Sequence, residues 1–315
     1  MSSEVGVLIK KDKKKEKETL SRQNTMNSTE VGNCTTIQEF CCLVSLKEPH
    51  RTIISALNIL LSIGALTGNA LIFVALRKGS SLHPPSKLLF GCLTSTDFCV
   101  GLISHPLFVT FIFAPEHSTL CYYSTIFSNT IGYIFCGVSL LTITAISVDR
   151  LLALMLRLRY RQVVTLKRVW VLVVFFWFFS AGCSIASLYK RRIAKMITFI
   201  IMLCCLVTSI FCYMKLYFIL NLHQAQVKTN KSQGQAHDAR IPLNIARYRQ
   251  TVSSALWVQM ALLACYLPFA VATGLRGVLA SHSAALNQAH AVTITLLLFN
   301  STLNPLLYCW KIRDV

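Results

Sequence analysis

Residues 52–76 read TIISALNILLSIGALTGNALIFVAL, a run of 25 residues without a charged side chain between Arg51 and Arg77. A helix needs about 20 mainly apolar residues to cross the hydrocarbon layer of a membrane. The run exceeds that length, and its few polar side chains are uncharged. It therefore predicts a transmembrane helix.

Six further charge-free windows of 18 to 34 residues follow along the chain. The alternating ten-residue segments of a membrane β-barrel do not occur in the sequence, so helices are the structure that satisfies the backbone hydrogen bonds in lipid. We therefore predict an all-α membrane protein, a seven-transmembrane helix bundle. Its helices are predicted at residues 52–77, 86–113, 121–152, 168–189, 194–221, 246–274 and 287–310.

The composition agrees with a membrane protein. Hydrophobic residues make up 54% of the chain and charged residues 14%, with a formal net charge of +19. A soluble domain usually has about 25% charged residues. A strongly basic chain suits nucleic acid or an anionic membrane surface. The apolar share favours the membrane, so we expect a lipid bilayer as partner and no nucleic acid.

The distribution of basic residues predicts that the N-terminus lies outside. With that orientation the cytoplasmic side carries 17 Lys and Arg residues, Lys215 included, and the outer side carries seven from residue 26 onward. Two glycosylation sequons, at Asn27 and Asn33, lie on the side that the charge rule makes extracellular.

The chain then divides into an extracellular segment 1–51, a transmembrane helical domain 52–310, and residues 311–315, which we interpret as the truncated start of a cytoplasmic tail. The basic run within residues 1–25 would have to be translocated without an apolar signal-peptide core. We interpret it either as a non-native extension ahead of Met26 or as a disordered tail. Disulfide pairing stays open among four cysteines expected outside: Cys34, Cys41, Cys42 and Cys121.

Polar side chains inside the spans are the functional candidates, because an ionisable group there costs several kcal/mol on insertion scales. Asp97 lies in the second span with no charged neighbour. Asn69 and Ser139 lie in the first and third spans, and Asn300 and Asn304 lie on roughly one face of the seventh. These oxygen-rich groups suit a hard cation or a water network. Hydrogen bonding between helices is the alternative interpretation.

Each span also carries one short motif, and the motifs stand in a fixed order. They are Gly68-Asn69, LTSTD at 93–97, Asp149-Arg150-Leu151, Trp177, Tyr213, CYLP at 265–268 and NPLLY at 304–308. Any one of them is a weak pattern. Together, from about residue 53 to the end, they resemble the rhodopsin-like (class A) G-protein-coupled receptors.

The resemblance implies a plasma-membrane receptor that transmits an extracellular ligand signal to a heterotrimeric G protein. It implies no cofactor except an allosteric sodium ion, held by Asn69, Asp97, Ser139, Asn300 and Asn304. It also implies a switch in which Arg150 pairs with Asp149 at rest, while Pro268 kinks the sixth helix. The switch residues implied are Asp149, Arg150, Tyr213, Tyr266, Pro268, Asn304, Pro305 and Tyr308.

Departures from the family pattern bear on the ligand. Gly132 stands where amine receptors place an Asp, and Leu298 stands where opsins carry the retinal-linking Lys. Thr273 replaces the Asn that adenosine receptors use. We therefore expect a ligand that is neither a biogenic amine nor retinal, and the pattern also argues against adenosine. The fifth span lacks its usual proline and the loop before it lacks a cysteine, which resembles the melanocortin, cannabinoid and lysophospholipid branch.

A basic cluster lies at the outer ends of the fourth and fifth spans. It would attract an acidic ligand. Alternatively, its side chains anchor the helix ends at the lipid headgroups. The cluster comprises Lys190, Arg191, Arg192 and Lys195.

Two other functions are weighed. A transporter or channel would use Asp97 and Asn304 as a cation path, but it would leave the Asp149-Arg150 pair unexplained. An enzyme would need convergent His, Cys or acidic side chains, and we expect none. The histidines toward the outer span ends are scattered and have no paired acid: His105, His117, His282 and His290.

Overall fold

The computed structural model describes residues 48–79, 83–115, 118–156, 159–189, 191–232, 260–275 and 284–313. Within these ranges the chain is almost entirely helical and contains no strand. Seven helices of the described residues form the bundle and are named the first to seventh spans in chain order. They are Glu48–Gly79, Pro84–Phe113, Thr119–Leu156, Leu166–Tyr189, Arg191–Ser232, Met260–Leu275 and Ala284–Arg313.

The first five spans are long and apolar enough to cross a membrane by length and composition. The sixth, in its described part, is a shorter apolar helix. Large apolar side chains on the outer faces are exposed, for instance Leu71 and Phe178 at 67% and 76%. Such faces suit lipid, which is as apolar as the side chains themselves.

Several helices extend beyond their predicted ends. The third span covers Thr119–Leu156 where 121–152 was predicted, and the fifth continues to Ser232 where an end at 221 was predicted. The prediction followed the apolar run, but a helix needs no apolar side chains once it leaves the hydrocarbon layer. The predicted residues 246–259 of the sixth span lie outside the described residues.

The second span contains a feature that the sequence analysis did not predict, a π-helical segment at Val100–Ser104. The His105 N–H bonds to the Val100 carbonyl, five residues back. Pro106 follows directly and has no N–H to donate, which loosens the α-helical pattern here. The Ser62 hydroxyl of the first span donates to the Gly101 carbonyl at 2.7 Å, so a carbonyl of the irregular turn has a partner.

Small residues bring the first span close to the seventh. A Cβ added to Gly68 would lie 2.5 Å from the Pro305 Cβ, and one added to Gly64 would lie 2.9 Å from the Thr302 Cγ2. Two glycines four residues apart on one helix face permit this approach. The third span packs against the second, fourth and fifth, so it lies at the centre of the bundle.

Candidate functional site

The structure gathers most of the predicted polar span residues around Asp97, whose side chain is fully buried. The Asn304 amide donates to Asp97 Oδ2 at 2.6 Å, and the Ser139 hydroxyl donates to Oδ1 at 3.3 Å. The Ser301 side chain also lies near the carboxylate. The second, third and seventh spans therefore meet at one carboxylate, which has no cationic partner in the described part of the chain.

Asn69 and Asn300 are buried but hold different positions. The Asn69 amide donates to the carbonyls of Ala65 and Ser301, at 2.9 and 3.0 Å. Its Oδ1 is buried and has no hydrogen-bond partner among the described residues. Asn300 is buried without a hydrogen bond to Asp97 in the structure. A buried carboxylate, an orphaned amide oxygen and two hydroxyls form a donor set that fits a hard cation such as sodium.

A second polar cluster lies at the inner end of the third span, around Asp149. Asp149 accepts hydrogen bonds from the Tyr160 hydroxyl at 2.6 Å and the Ser86 hydroxyl at 2.9 Å. It also forms an ion pair with Arg150 at 2.7 Å. Asp149, Ser86 and Tyr160 are buried, whereas 30% of the Arg150 side chain is exposed. We call these four residues the inner network.

The inner network connects three parts of the chain. Ser86 lies in the first turn of the second span, and Tyr160 begins the short helix Tyr160–Val163 that follows the third. Burial, and then the hydrogen bond to Asp149, raise the pKa of the Tyr160 hydroxyl above its usual value, so Tyr160 stays protonated and can donate. The sequence analysis identified Asp149 and Arg150 but missed Ser86 and Tyr160, because a Ser and a Tyr near a helix end carry no distinctive pattern.

Tyr213 and Tyr266 are buried at two different depths of the bundle. Tyr213 of the fifth span lies near Ser147, which is less than one helical turn from Arg150. Tyr266 of the sixth span donates to the Cys136 carbonyl at 3.2 Å, and its hydroxyl lies near Ser139. Because Ser139 donates to Asp97, one side chain separates Tyr266 from the Asp97 carboxylate.

A cavity of about 120 Å³ lies in the outer half of the bundle, and Tyr266 is part of its wall. Six spans, the second to the seventh, contribute to it. Gly132 and Leu298, which the sequence analysis singled out, both line it. None of its described lining residues is Asp, Glu, Lys or Arg.

A third polar cluster was missed by the sequence analysis. His105 Nδ1 lies 2.9 Å from Asn58 Oδ1, and the Asn58 amide donates to Thr295 Oγ1 at 3.0 Å. All three side chains are buried and join the first, second and seventh spans. His105 had been set aside for lack of a paired acid, but an amide is its partner. The signal that could have found the cluster is Asn58, a polar residue within the first span.

Of the remaining predicted residues, some lie within the described helices and others lie outside the described residues. Pro268 is partly buried within the sixth span, and Pro305 is buried within the seventh. Cys121 is disulfide-bonded, and its partner lies outside the described residues. The glycosylation sites, the Tyr308 side chain and the side chains of the basic cluster also lie outside the described residues: Asn27, Asn33, Tyr308, Lys190, Arg191, Arg192 and Lys195.

Comparison with known proteins defines the class. The family described as 7 transmembrane receptor (rhodopsin family) matches residues 68–308, well over half of the chain. The chain belongs to this family and has its seven-transmembrane helix bundle, with the N-terminus outside. It is a multi-pass plasma-membrane protein and a G-protein-coupled receptor that transmits an extracellular ligand signal to heterotrimeric G proteins. The family resemblance expected from the sequence is confirmed.

Similar proteins are receptors of this family. The trace amine-associated receptor 9 of Homo sapiens is 23% identical over 305 residues, which cover 87% of this chain and 85% of the relative. The adenosine receptor A3 of Ovis aries is 24% identical over 281 residues, covering 81% and 84%. The adenosine receptor A3 of Canis lupus familiaris is 29% identical over 123 residues, covering 39% and 38%.

Proposed function

We propose that the inner network is the resting lock of this receptor and that Arg150 is the residue it withholds from the G protein. The observation that carries the proposal is the Asp149 carboxylate, which is buried and bound by Arg150, Tyr160 and Ser86 together. Charge-assisted hydrogen bonds are about twice as strong as neutral ones. Separating Arg150 from Asp149 therefore has a cost, which an activating ligand must offset by binding the released state more tightly.

We propose that the Asp97 cluster is a sodium site that stabilises the resting bundle. Bound sodium would balance the charge of the buried carboxylate. The protein side of the site ties three spans together, because Asn304 and Ser139 both donate to Asp97. Asn69 joins the first span to the seventh through the Ser301 carbonyl. Asn300 is buried but has no hydrogen bond to Asp97 in the structure, so we assign it no direct contact with the carboxylate.

We propose that Tyr266 passes changes in the cavity to the Asp97 cluster. Tyr266 lines the cavity, and its hydroxyl donates to the Cys136 carbonyl and lies near Ser139. A ligand that moves the ring therefore disturbs a group that donates to Asp97. In this scheme Pro268 and Pro305 serve as the bending points of the sixth and seventh spans, while Tyr213 and Tyr308 hold the released arrangement.

We propose that the ligand is neither a biogenic amine nor retinal. The support is the absence of a carboxylate and of a Lys among the described residues that line the cavity, where Gly132 and Leu298 stand instead. The names of the similar proteins refer to trace amines and adenosine. These names describe the ligands of the relatives and do not identify the ligand of this chain. The melanocortin, cannabinoid and lysophospholipid resemblance stays a prediction.

The alternatives have less support. The transporter or channel interpretation is not supported, because the family that matches the chain is a family of receptors. It is also not a family of enzymes, and we propose that the chain has no catalytic activity.

The test is G-protein activation by the Arg150→Ala variant, measured in cells with sensors for each G-protein class. We expect basal and ligand-stimulated activation to fall to the level of cells without receptor, at unchanged surface expression. The matched control is Arg77→Ala, which removes a cytoplasmic Arg that stacks on Phe73, away from the inner network. Activation that survives Arg150→Ala and matches the control would contradict the proposal.

A further inference from the structure

We propose that the outer-half cavity binds an uncharged, mainly apolar molecule that carries a hydrogen-bonding oxygen. The inference rests on the proposed function, since it names the ligand class of the receptor. It depends on two independent observations about the cavity wall. One is the charge of the lining, and the other is the state of its hydroxyl groups.

The lining is built for an uncharged ligand. Phe108, Phe111, Leu140, Phe269 and Leu297 are buried apolar side chains of the wall. The described lining residues include no side chain that is permanently charged at neutral pH. Burying an ammonium or a carboxylate without a partner is far more costly than burying an uncharged group. A charged ligand that enters this cavity therefore loses hydration and meets no Asp, Glu, Lys or Arg among the described lining residues.

The third span leaves room where a charged anchor would otherwise stand. A Cβ added to Gly132 would have no atom within 4 Å, so the space beside this residue is open. By contrast, a Cβ added to Gly137 would lie 2.9 Å from the Ser180 hydroxyl. The open volume therefore lies beside Gly132, while the fourth span closes on the third at Gly137.

Two hydroxyl groups of the wall lack the partners that other hydroxyls of the wall have. The Ser104 and Ser180 hydroxyls are buried, and neither has a hydrogen-bond partner in the part of the chain that the structure describes. The Thr125 hydroxyl donates to the Cys121 carbonyl at 2.6 Å, and the Ser184 hydroxyl donates to the Thr130 carbonyl at 2.9 Å. Thr125 and Ser184 are therefore already satisfied.

Unpartnered hydroxyls indicate the polar part of the ligand. Leaving a buried hydroxyl unpaired is unfavourable, and a ligand oxygen that accepts its hydrogen bond removes that cost. Ser104 and Ser180 belong to the second and fourth spans, so they offer two places for such an oxygen. A hydroxyl, carbonyl or ether group meets the requirement without adding charge.

Two sources could supply this chemistry, a neutral lipid of the bilayer or an uncharged compound from the aqueous phase. The experiment uses the full chain in nanodiscs and follows thermal unfolding. Three water-borne probes share one skeleton and differ in charge: 4-phenylbutan-1-ol, 4-phenylbutylamine and 4-phenylbutanoate. A fourth probe, 1-oleoylglycerol, is incorporated into the disc. We expect a neutral probe to raise the unfolding midpoint by at least about 3 °C at saturation, and the two charged probes to have no comparable effect.

Matched variants separate binding in the cavity from effects on the bilayer. Gly132→Phe fills the open space of the cavity. Gly182→Phe adds the same bulk at an exposed position of the fourth span that has no neighbour within 4 Å. A molecule that only dissolves in the bilayer acts equally on both variants. We expect the neutral shift to disappear in Gly132→Phe and to persist in Gly182→Phe.

A gain-of-function variant keeps the proposal testable if Gly132→Phe does not fold. Gly132→Asp places a carboxylate in the cavity, and we expect the preference to pass from 4-phenylbutan-1-ol to 4-phenylbutylamine. A cavity-dependent shift with 1-oleoylglycerol alone identifies the lipid as the source, and one with 4-phenylbutan-1-ol alone identifies the aqueous compound. Both outcomes support the ligand class.

Three outcomes overturn the proposal. The first is that a charged probe raises the unfolding midpoint of the wild-type chain as much as the neutral probes do. The second is that no neutral probe raises it. The third is that a neutral probe raises the midpoints of Gly132→Phe and Gly182→Phe equally. These measurements use no G protein. A failure here therefore leaves the Arg150→Ala result standing, and activation that does not need Arg150 contradicts the proposed function alone.

Discussion

The inner end and the outer half of the bundle use polar groups in opposite ways. At the inner end, one carboxylate, Asp149, is bound by two hydroxyls and a guanidinium. In the outer half, the described wall of the cavity has no permanent charge, and the hydroxyls of Ser104 and Ser180 are unpartnered. A carboxylate bound by three groups holds them in one arrangement, whereas a wall with unpartnered hydroxyls gains stability when a hydrogen-bonding ligand binds.

The difference separates what the receptor shares with its family from what is its own. The inner network is built on the Asp149-Arg150 motif that the resemblance predicted. The cavity is built on departures from the family pattern, above all Gly132. The Asp97 cluster has an intermediate character. Its carboxylate accepts hydrogen bonds, as Asp149 does, but no described cationic side chain balances its charge. The residues of the switch therefore follow from family motifs, whereas the class of ligand follows only from the residues that line the cavity.

The largest expected effect concerns the inner network. Tyr160→Phe removes a hydrogen bond to a buried carboxylate, and such bonds contribute about 1.5–3 kcal/mol. If the bond exists only at rest, each 1.4 kcal/mol lost raises a minor active population about tenfold. We expect basal G-protein activation to rise about tenfold at equal surface expression. Tyr189→Phe, at an outer position that is 84% exposed, is the control and should not change it. Equal basal activity in the two variants would contradict the role of Tyr160 in the resting lock.

A smaller effect is expected at the Asp97 cluster. Replacing choline chloride by sodium chloride should stabilise the wild-type chain against heat, by about 1 kcal/mol when sodium is at several times its dissociation constant. Asp97→Asn should remove this sodium effect. Ser95→Ala should keep it, because Ser95 is exposed and bonds only its own helix. A sodium effect of the same size in Asp97→Asn would rule out the proposed site.

The smallest effect sharpens the description of the cavity. Ser184→Ala should cost about 0.5–1 kcal/mol of unfolding free energy, because it removes a hydrogen bond to the Thr130 carbonyl. Ser180→Ala, one helical turn earlier, removes a buried hydroxyl that has no partner among the described residues, so the ligand-free stability should stay the same or rise. Thermal unfolding in nanodiscs compares the two. A larger loss for Ser180→Ala would show that this hydroxyl already has a partner.

The sequence predicted the parts of the fold that depend on composition. Charge-free windows gave the spans, and the cost of placing Asp97 in lipid marked the central cluster. Helix ends were less accurate, as at Ser232, because helical hydrogen bonds continue beyond the apolar run. The π segment at Val100–Ser104 was missed, since Pro106 shows where a helix is weakened but not how the helix adapts.

Hydrogen bonds between side chains that are distant in the chain could not be predicted from the sequence either. Tyr160 and Ser86 join Asp149 only because the short helix after the third span and the start of the second span meet there. Asn58 and His105 are 47 residues apart and bond through the packing of two spans. Whether a serine is satisfied, as Ser184 is and Ser180 is not, depends on the neighbouring helix rather than on local sequence.

The most direct test of the account is the rate of basal nucleotide exchange that the purified receptor catalyses on its G protein in nanodiscs. Asp149→Asn removes the charge that holds Arg150 while keeping the shape of the side chain. We expect faster exchange for Asp149→Asn than for the wild type, and loss of the increase when Arg150→Ala is added. Exchange that is unchanged or slower in a folded Asp149→Asn receptor would contradict the inner network as the resting lock.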